Sequence, residues 1–185
     1  MSNIIHNKPL IVNLFGAPGA GKSTLAAYTF AKMKMMNINC ELVTEFAKDK
    51  VWEQNKTALS NQVYVFAKQY YRLDCCADKV DVIITDSPIA LSPFYNKDEA
   101  IHEPLKQLAF KISQKFNNLN YFVRRIKKYN PVGRVETEKE SDQKAIGLKN
   151  LLDDFGIKHT TIDGDLMSAD IIINDVLKII GDKRV

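Results

Sequence analysis

Residues 16–23 read GAPGAGKS, a glycine-rich segment that ends in lysine and serine. The segment fits the pattern G-x-x-x-x-G-K-[ST] at every fixed position. The six residues before it, LIVNLF at 10–15, form a nearly continuous apolar run of the kind found in buried parallel strands. Residues 23–36 are helix-forming and end at two asparagines. The sequence therefore predicts a buried strand, a glycine-rich turn and a helix in succession, which restricts the chain to α/β folds.

The same alternation continues along the chain. Short apolar runs predict further strands, and amphipathic stretches between them predict helices, one of which Gly156 would end as a C-terminal cap. Five alternations favour one parallel sheet sandwiched by helices, in a single domain over residues 1–185. The further strands are predicted at 41–43, 80–85, 119–123 and 160–162, and the further helices at 61–79, 102–117, 137–155 and 171–180.

Composition excludes several classes of protein. The net charge of +4 is spread through the chain, which suits an anionic substrate but does not by itself imply nucleic-acid binding. An odd count of three cysteines without a Cys-x-x-Cys pair or a histidine cluster argues against disulfides and zinc. Residues 1–9 are polar, so we expect no signal peptide or membrane anchor and a reducing cytoplasm.

The glycine-rich segment has the chemistry of a phosphate-binding loop. Its glycines let backbone N–H groups face phosphates, and the following helix adds its positive dipole end. Lys22 can reach the β- and γ-phosphates of a nucleotide, and the Ser23 hydroxyl can ligate Mg²⁺. The expected nucleotide-binding residues are Gly16, Ala17, Pro18, Gly19, Ala20, Gly21, Lys22, Ser23 and Thr24.

Two carboxylates are expected to complete the chemistry. Asp86 follows the predicted strand at 80–85 and is placed to hold Mg²⁺ with Ser23; the alternative is an Asp that caps the next segment. Glu45 follows the second strand, which we expect to bring it near the end of the first, where it can bind or deprotonate an acceptor hydroxyl. Asp49, one helical turn later, is the rival base, and both acids would also complement a helix dipole.

A basic segment follows the fourth strand. Residues 124–134 hold five cationic side chains in eleven residues, and Pro131 and Gly133 indicate an irregular loop. We interpret residues 125–137 as a mobile lid that closes over the phosphates, with Arg124 and Arg134 contacting ATP and stabilising the transferred charge. A solvated surface loop and a nucleic-acid contact remain the alternatives.

The predicted helix at 61–79 carries amide and guanidinium groups on one side. Gln62, Gln69 and Arg72 are spaced to share that side, with Phe66 and Tyr70 beside them. Such a face suits a base or sugar pocket, and Arg72 would meet a substrate phosphate. The alternative is an ordinary core stripe.

Taken together, these residues resemble the P-loop kinase superfamily. The nearest likeness is to the nicotinamide riboside kinase domain of bacterial NAD-regulator proteins and to related bacteriophage nucleotide and DNA kinases. The likeness spans nearly the whole chain. It depends on FGAPGAGKST at 15–24, TEFAKD at 44–49, TDSP at 85–88, the lid at 129–134 and Gly164-Asp165.

The resemblance implies a five-stranded parallel sheet, ATP with Mg²⁺, a mobile lid that bears Arg124 and Arg134, and an adenine-side loop at Gly164 and Asp165. It does not specify the acceptor. Relatives act on nucleosides, nucleoside monophosphates and other small molecules, and some phage kinases phosphorylate 5-hydroxymethyl-deoxyuridine within DNA. A viral origin would place the protein in the host cytoplasm.

Two functions therefore stand at this point. The first is an ATP-dependent kinase that transfers the γ-phosphoryl group to a hydroxyl or phosphate of a nucleoside- or nucleotide-type acceptor, with 5-hydroxymethylpyrimidine in DNA as one candidate. The second is a regulatory or nucleic-acid-associated P-loop NTPase without a small-molecule acceptor. The compact chain, the lid and Glu45 favour the kinase.

Overall fold

Five parallel strands form the centre of the molecule in the order β2-β3-β1-β4-β5. The computed structural model describes residues 8–181, and the expectations for residues 1–9 lie almost entirely outside that range. The predicted five-stranded, all-parallel α/β sheet is confirmed. The strands are β1 (Leu10–Phe15), β2 (Cys40–Val43), β3 (Val82–Thr85), β4 (Asn117–Arg124) and β5 (Thr160–Asp163).

Helices cover both faces of this sheet. Alternate residues of β1 point to opposite faces: Val12 and Leu14 pack with α1 and α8, whereas Ile11 and Phe15 pack on the other side. Full burial of each such side chain stabilises the fold by about 1.5–3 kcal/mol. The helices are α1 (Lys22–Met35), α2 (Phe46–Trp52), α3 (Lys56–Ser60), α4 (Gln62–Asp74), α5 (Ser92–Tyr95), α6 (Glu99–Ser113), α7 (Glu138–Asp154) and α8 (Ser168–Gly181).

None of the helices in residues 8–181 combines the length and the apolar composition that a membrane crossing requires.

Several elements differ from the predictions. The short helices α3 and α5 were not predicted, and α2 was anticipated only as a helical turn after Glu45, because four to seven residues do not complete a periodic apolar stripe. Helix α4 ends at Asp74, before the predicted 79, and turns occupy the interval up to β3. Strand β4 begins earlier than predicted, at Asn117, which pairs with Leu10 of β1; within this pairing the Asn13 amide donates to the Oδ1 atoms of Asn118 and Asn120 at 2.9 and 3.0 Å.

The strand order also corrects one expectation. Glu45 was expected near the end of β1, but β3 lies between β1 and β2 and pairs with both. The carboxyl ends of all five strands nevertheless meet at one edge of the sheet, where ligands bind in such folds. The glycine-rich loop, Glu45, Asp86, Arg124 and Gly164 follow or end these strands and so lie along that edge.

Candidate functional site

The glycine-rich loop joins β1, the central strand, to the start of α1. Lys22 is the first residue of α1, and its Nζ donates to the carbonyl oxygens of Gly16 at 2.8 Å and Ala17 at 3.1 Å. Removal from water lowers the pKa of Lys22, and the negative charges of Glu45 and Asp86 oppose that shift. The lysine is thus curled over the loop, close to both carboxylates and within its own length of any phosphate held by the loop.

Asp86, which directly follows β3, has the surroundings of a metal ligand. Its carboxylate is buried, and its Oδ1 has no hydrogen-bond partner among the described residues. A buried carboxylate oxygen without a partner is costly unless a cation or ligand meets it. The Ser23 hydroxyl lines the same cavity, and two oxygen ligands completed by phosphates and water suit Mg²⁺. Asp86 and Ser23 therefore fit a magnesium ion, which would neutralise phosphate charge there.

Glu45 precedes α2 and faces the same cavity. Its side chain is half-buried, and removal from water raises its pKa above the ordinary value, an effect that Lys22 opposes and Asp86 reinforces. A carboxylate with a raised pKa is well suited to take a proton at neutral pH. Asp49, its rival, is more exposed, forms an ion pair with Arg72 and is not among the residues that line the cavity.

Gln69 and Arg72 form hydrogen bonds with the backbone on either side of Glu45. The buried Gln69 amide accepts from Phe46 N at 2.8 Å and donates to Thr44 O at 3.3 Å, and Arg72 also donates to Thr44 O at 3.3 Å. Neither side chain lines the cavity, in contrast to the predicted substrate contact. Their hydrogen-bonding groups are directed to the residues that flank Glu45, so we revise their assignment to a supporting role.

Lys22, Ser23, Glu45 and Asp86 all line one cavity of about 400 Å³, a volume typical of small-molecule sites. We call its lining by Lys22, Ser23 and Asp86 the phosphate end. We call the rest of its lining, an apolar wall from α2, α3, α4 and the turn after β3 with two polar side chains, the acceptor end. The apolar residues are Val51, Leu59, Val65 and Leu91, and the polar ones are Gln62 and Tyr95.

The segment 125–137, interpreted from the sequence as a lid, packs against the glycine-rich loop. The Tyr129 ring covers Gly19 so closely that a Cβ at Gly19 would lie 2.9 Å from it. The Tyr129 hydroxyl donates to the backbone oxygen of Glu136 at 2.6 Å, and the Arg134 guanidinium lies 5.6 Å from the ring centre. Arg134 also lines the cavity described above, together with residues of the glycine-rich loop.

Arg124 occupies a different position. It ends β4 with 66% of its side chain exposed, and its Nε donates to Asp163 Oδ1 at 2.7 Å. It lies outside the main cavity but beside Gly164, whose N–H donates to the Arg124 carbonyl oxygen at 2.9 Å. A Cβ at Gly164 would lie 1.9 Å from the Ala20 oxygen, so only glycine permits this approach to the loop.

Asp165, predicted with Gly164 to contact the adenine, accepts a hydrogen bond from Ser168 N at 2.9 Å in the turn that leads into α8. The structure thus brings Arg124 and Gly164 together beside the glycine-rich loop. Nucleotide contact by Arg124, Gly164 or Asp165 stays a prediction.

Glu136, Lys144 and Tyr95 are among the cavity residues that were not predicted from the sequence. Glu136 from the lid and Lys144 from α7 form an ion pair with 2.5 Å between Nζ and Oε1. The Lys144 ammonium also lies 5.0 Å from the centre of the Tyr95 ring. Acids and lysines are frequent on helix surfaces, so only the three-dimensional arrangement distinguishes these residues.

Comparison with known proteins gives likenesses of structure. No protein-family model matches the sequence, and no curated protein matches it significantly. A deoxyadenosine kinase from M. mycoides, solved with bound dATP, superposes with a TM-score of 0.59 at 16% identity over 90% of this chain and 98% of that one. The Mycobacterium tuberculosis APS kinase CysC, solved with AMPPNP and APS, gives a TM-score of 0.50 at 14% identity over 92% and 98%. The chain therefore has the fold of P-loop kinase structures.

Proposed function

We propose that the protein is an ATP-dependent kinase that transfers the γ-phosphoryl group of ATP to a hydroxyl or phosphate of a nucleoside- or nucleotide-type acceptor. The observation that carries this proposal is the convergence of Lys22, Asp86 and Glu45 on one covered cavity. Residues outside the glycine-rich loop, from α2, α3 and α4, also line this cavity, which leaves space for a second substrate beside the nucleotide. A P-loop NTPase needs only a water molecule in that position.

Each group has a role in the transfer. The loop amides and Lys22 hold the phosphates, and Ser23 and Asp86 hold Mg²⁺. Glu45 accepts the proton of the acceptor hydroxyl as its oxygen forms a bond to the γ-phosphorus. The bond from that phosphorus to the β-phosphate oxygen breaks, and the electron pair leaves with ADP. Arg134, from the lid, balances charge on the transferred group.

The acceptor end suits a planar ring with polar edges. Apolar residues from three helices line it, and the Gln62 amide and the Tyr95 phenol supply hydrogen bonds. Similarity to a deoxyadenosine kinase and to an APS kinase supports a nucleoside or nucleotide in this space. A nucleotide of DNA that carries 5-hydroxymethylpyrimidine is a second acceptor of this kind. Lys48 and Lys97 line the cavity and are exposed, and their charges are compatible with the phosphates of a DNA strand.

A γ-labelled ATP transfer assay tests the proposal. Three acceptor pools would be compared: nucleosides, nucleoside monophosphates, and DNA with and without 5-hydroxymethylpyrimidine. We expect label in one pool and a loss of at least about 100-fold in Lys22→Ala with an unchanged melting temperature. Lys34→Ala is the matched control, because Lys34 lies on the same helix outside the cavity.

Release of label only as free phosphate with every pool would contradict the kinase. It would support instead a regulatory or nucleic-acid-associated NTPase. A fully active Lys22→Ala variant would contradict both functions, because each depends on the loop lysine.

A further inference from the structure

The ion pair between Glu136 and Lys144 is unusual in its placement. The two side chains are only 12% and 29% exposed, and both line the cavity that holds Lys22. The pair joins the lid to α7, while Tyr95 on α5 offers its ring face to the same ammonium. Three separate elements thus fix one lysine on the cavity wall.

This cluster lies within the electrostatic field of the reacting groups. Removal from water is the main cause of the pKa shifts of Lys22, which is lowered, and of Glu45 and Tyr95, which are raised; the negative charge of Glu136 adds a smaller upward contribution to each. Glu136 is therefore close enough to act on both the phosphate end and the acceptor end of the cavity. Its partner Lys144 places a positive charge beside Tyr95, which belongs to the acceptor end.

Stability alone does not account for such a pair. Removal of two charges from water costs several kcal/mol per ion, and an apolar pair of similar size would often stabilise the same contact better. Arg125 and Glu138, whose side chains are 16% and 60% exposed, already form an ion pair at 2.6 Å between lid and α7, and their acid lies at the surface rather than in the cavity. A charge retained at the cavity wall is thus better explained by a charged ligand.

We infer that Lys144 contacts the γ-phosphoryl group as it moves to the acceptor, and that Glu136 and Tyr95 position its ammonium for this contact. The inference rests on the proposed kinase function and adds a residue to it. Lys22 would hold the phosphoryl oxygens from the ATP side and Lys144 from the acceptor side. The ammonium keeps its protons throughout; the acceptor proton goes to Glu45 and the electron pair to the β-phosphate oxygen, as above.

The first test compares Lys144→Met, Lys144→Arg and Lys149→Met in steady-state transfer. Lys149 is the matched control, because it lies on α7 with its ammonium 5.0 Å from the Phe122 ring centre, but outside the main cavity. We expect Lys144→Met to lower kcat by about 100-fold with the KM for ATP within threefold of wild type. Lys144→Arg should keep most of the activity and Lys149→Met all of it. Equal kcat in Lys144→Met and wild type would overturn the inference.

A reciprocal exchange separates phosphoryl contact from a simple latch. The double variant Glu136→Lys with Lys144→Glu keeps an ion pair between lid and α7 but reverses its direction. If the ion pair only holds the lid against α7, the exchanged pair would do the same, so recovery of kcat to near the wild-type value would count against the inference. We expect kcat to stay about 100-fold low, because a carboxylate would then replace the ammonium on α7.

An equilibrium measurement makes the inference independent of the acceptor. MgADP with aluminium fluoride mimics the phosphoryl group in transfer, and its binding can be measured by calorimetry. Wild type should bind this complex more tightly than MgADP alone, and Lys144→Met should lose at least tenfold of that affinity but keep its affinity for MgADP. Equal losses for both probes, or none for either, would overturn the inference. Absence of label transfer by wild type would instead overturn the kinase proposal.

Discussion

The Trp52 indole packs directly on the backbone of Gly133. A Cβ at Gly133 would lie 2.7 Å from Trp52 Cζ2, which leaves no room for a side chain. Trp52 is the last residue of α2, the helix that begins after Glu45, and Gly133 lies in the lid. The lid therefore contacts the acceptor side of the cavity as well as the glycine-rich loop. Trp52 is the only tryptophan and is 61% exposed, so its fluorescence reports on this contact.

Gly133→Ala should open the lid. The residue has φ +71°, where a non-glycine residue costs roughly 1–2 kcal/mol, and the added methyl group meets the indole. We expect a change in Trp52 emission, a rise of about tenfold in the KM for the acceptor and a fall of roughly 2–8 °C in melting temperature.

Gly156→Ala is the control for backbone strain. Gly156 has φ +60°, and a Cβ there meets nothing within 4 Å. This variant should lose a similar amount of stability but leave Trp52 emission and the acceptor KM unchanged. If both variants behaved alike, strain rather than the Trp52 contact would explain the effect of Gly133→Ala.

The sequence predicted the strand, loop and helix at residues 10–23 better than it predicted which side chains line the rest of the cavity. Residues 10–23 combine an apolar strand, a motif with fixed positions and a helix, so local signals agree with the global fold. Gln69 was misassigned because helical spacing does not show that its amide turns to the backbone of Thr44 and Phe46. Glu136 and Lys144 were missed because their meeting depends on how the lid folds back, which no local pattern encodes.

Glu45→Gln should lower turnover far more than ATP affinity. The amide keeps the shape of the carboxylate but cannot accept the proton of an acceptor hydroxyl. We expect kcat to fall by about 100–10,000-fold with the dissociation constant for MgATP within threefold of wild type. Glu53→Gln, at the other end of α2, removes an exposed carboxylate paired with Lys50 and should leave both values unchanged. Unaltered turnover in Glu45→Gln would exclude Glu45 as the base.

The raised pKa of Glu45 also predicts a pH-dependent effect on stability. Because the pKa of Glu45 is higher in the folded protein, folding binds protons, and the contribution of this group is most favourable below the unfolded value of about 4.5. That contribution is lost as pH rises through the folded pKa. Glu45→Gln should therefore be more stable than wild type at pH 8, with the gain shrinking towards pH 4. Urea denaturation of both proteins at the two pH values checks this, and a gain that grew towards pH 4 would contradict it.

Asp86→Asn should uncouple nucleotide binding from magnesium. Wild type with ADP at 100 times its dissociation constant should gain about 2.7 kcal/mol, or roughly 5–10 °C in melting temperature, when Mg²⁺ is present. The variant should lose most of the increment that Mg²⁺ adds and show no loss of stability without metal, because Asp86 Oδ1 has no partner among the described residues. Asp154→Asn, at the end of α7, is the control. A full magnesium increment in Asp86→Asn would exclude Asp86 as a ligand.

Asp49 and Gln69 provide the sharpest contrast between chemistry and support. Asp49 is half-exposed and paired with Arg72, so Asp49→Asn should cost less than about 1 kcal/mol of stability and keep kcat within threefold. Gln69→Ala leaves Phe46 N and Thr44 O without the amide, which should cost about 1–3 kcal/mol. Because those groups flank Glu45, its carboxylate would also move, and kcat should fall together with stability. Urea denaturation and steady-state transfer measure both quantities. A loss of kcat in Asp49→Asn as large as that in Glu45→Gln, at unchanged stability, would make Asp49 the base and reduce Glu45 to a residue that caps α2.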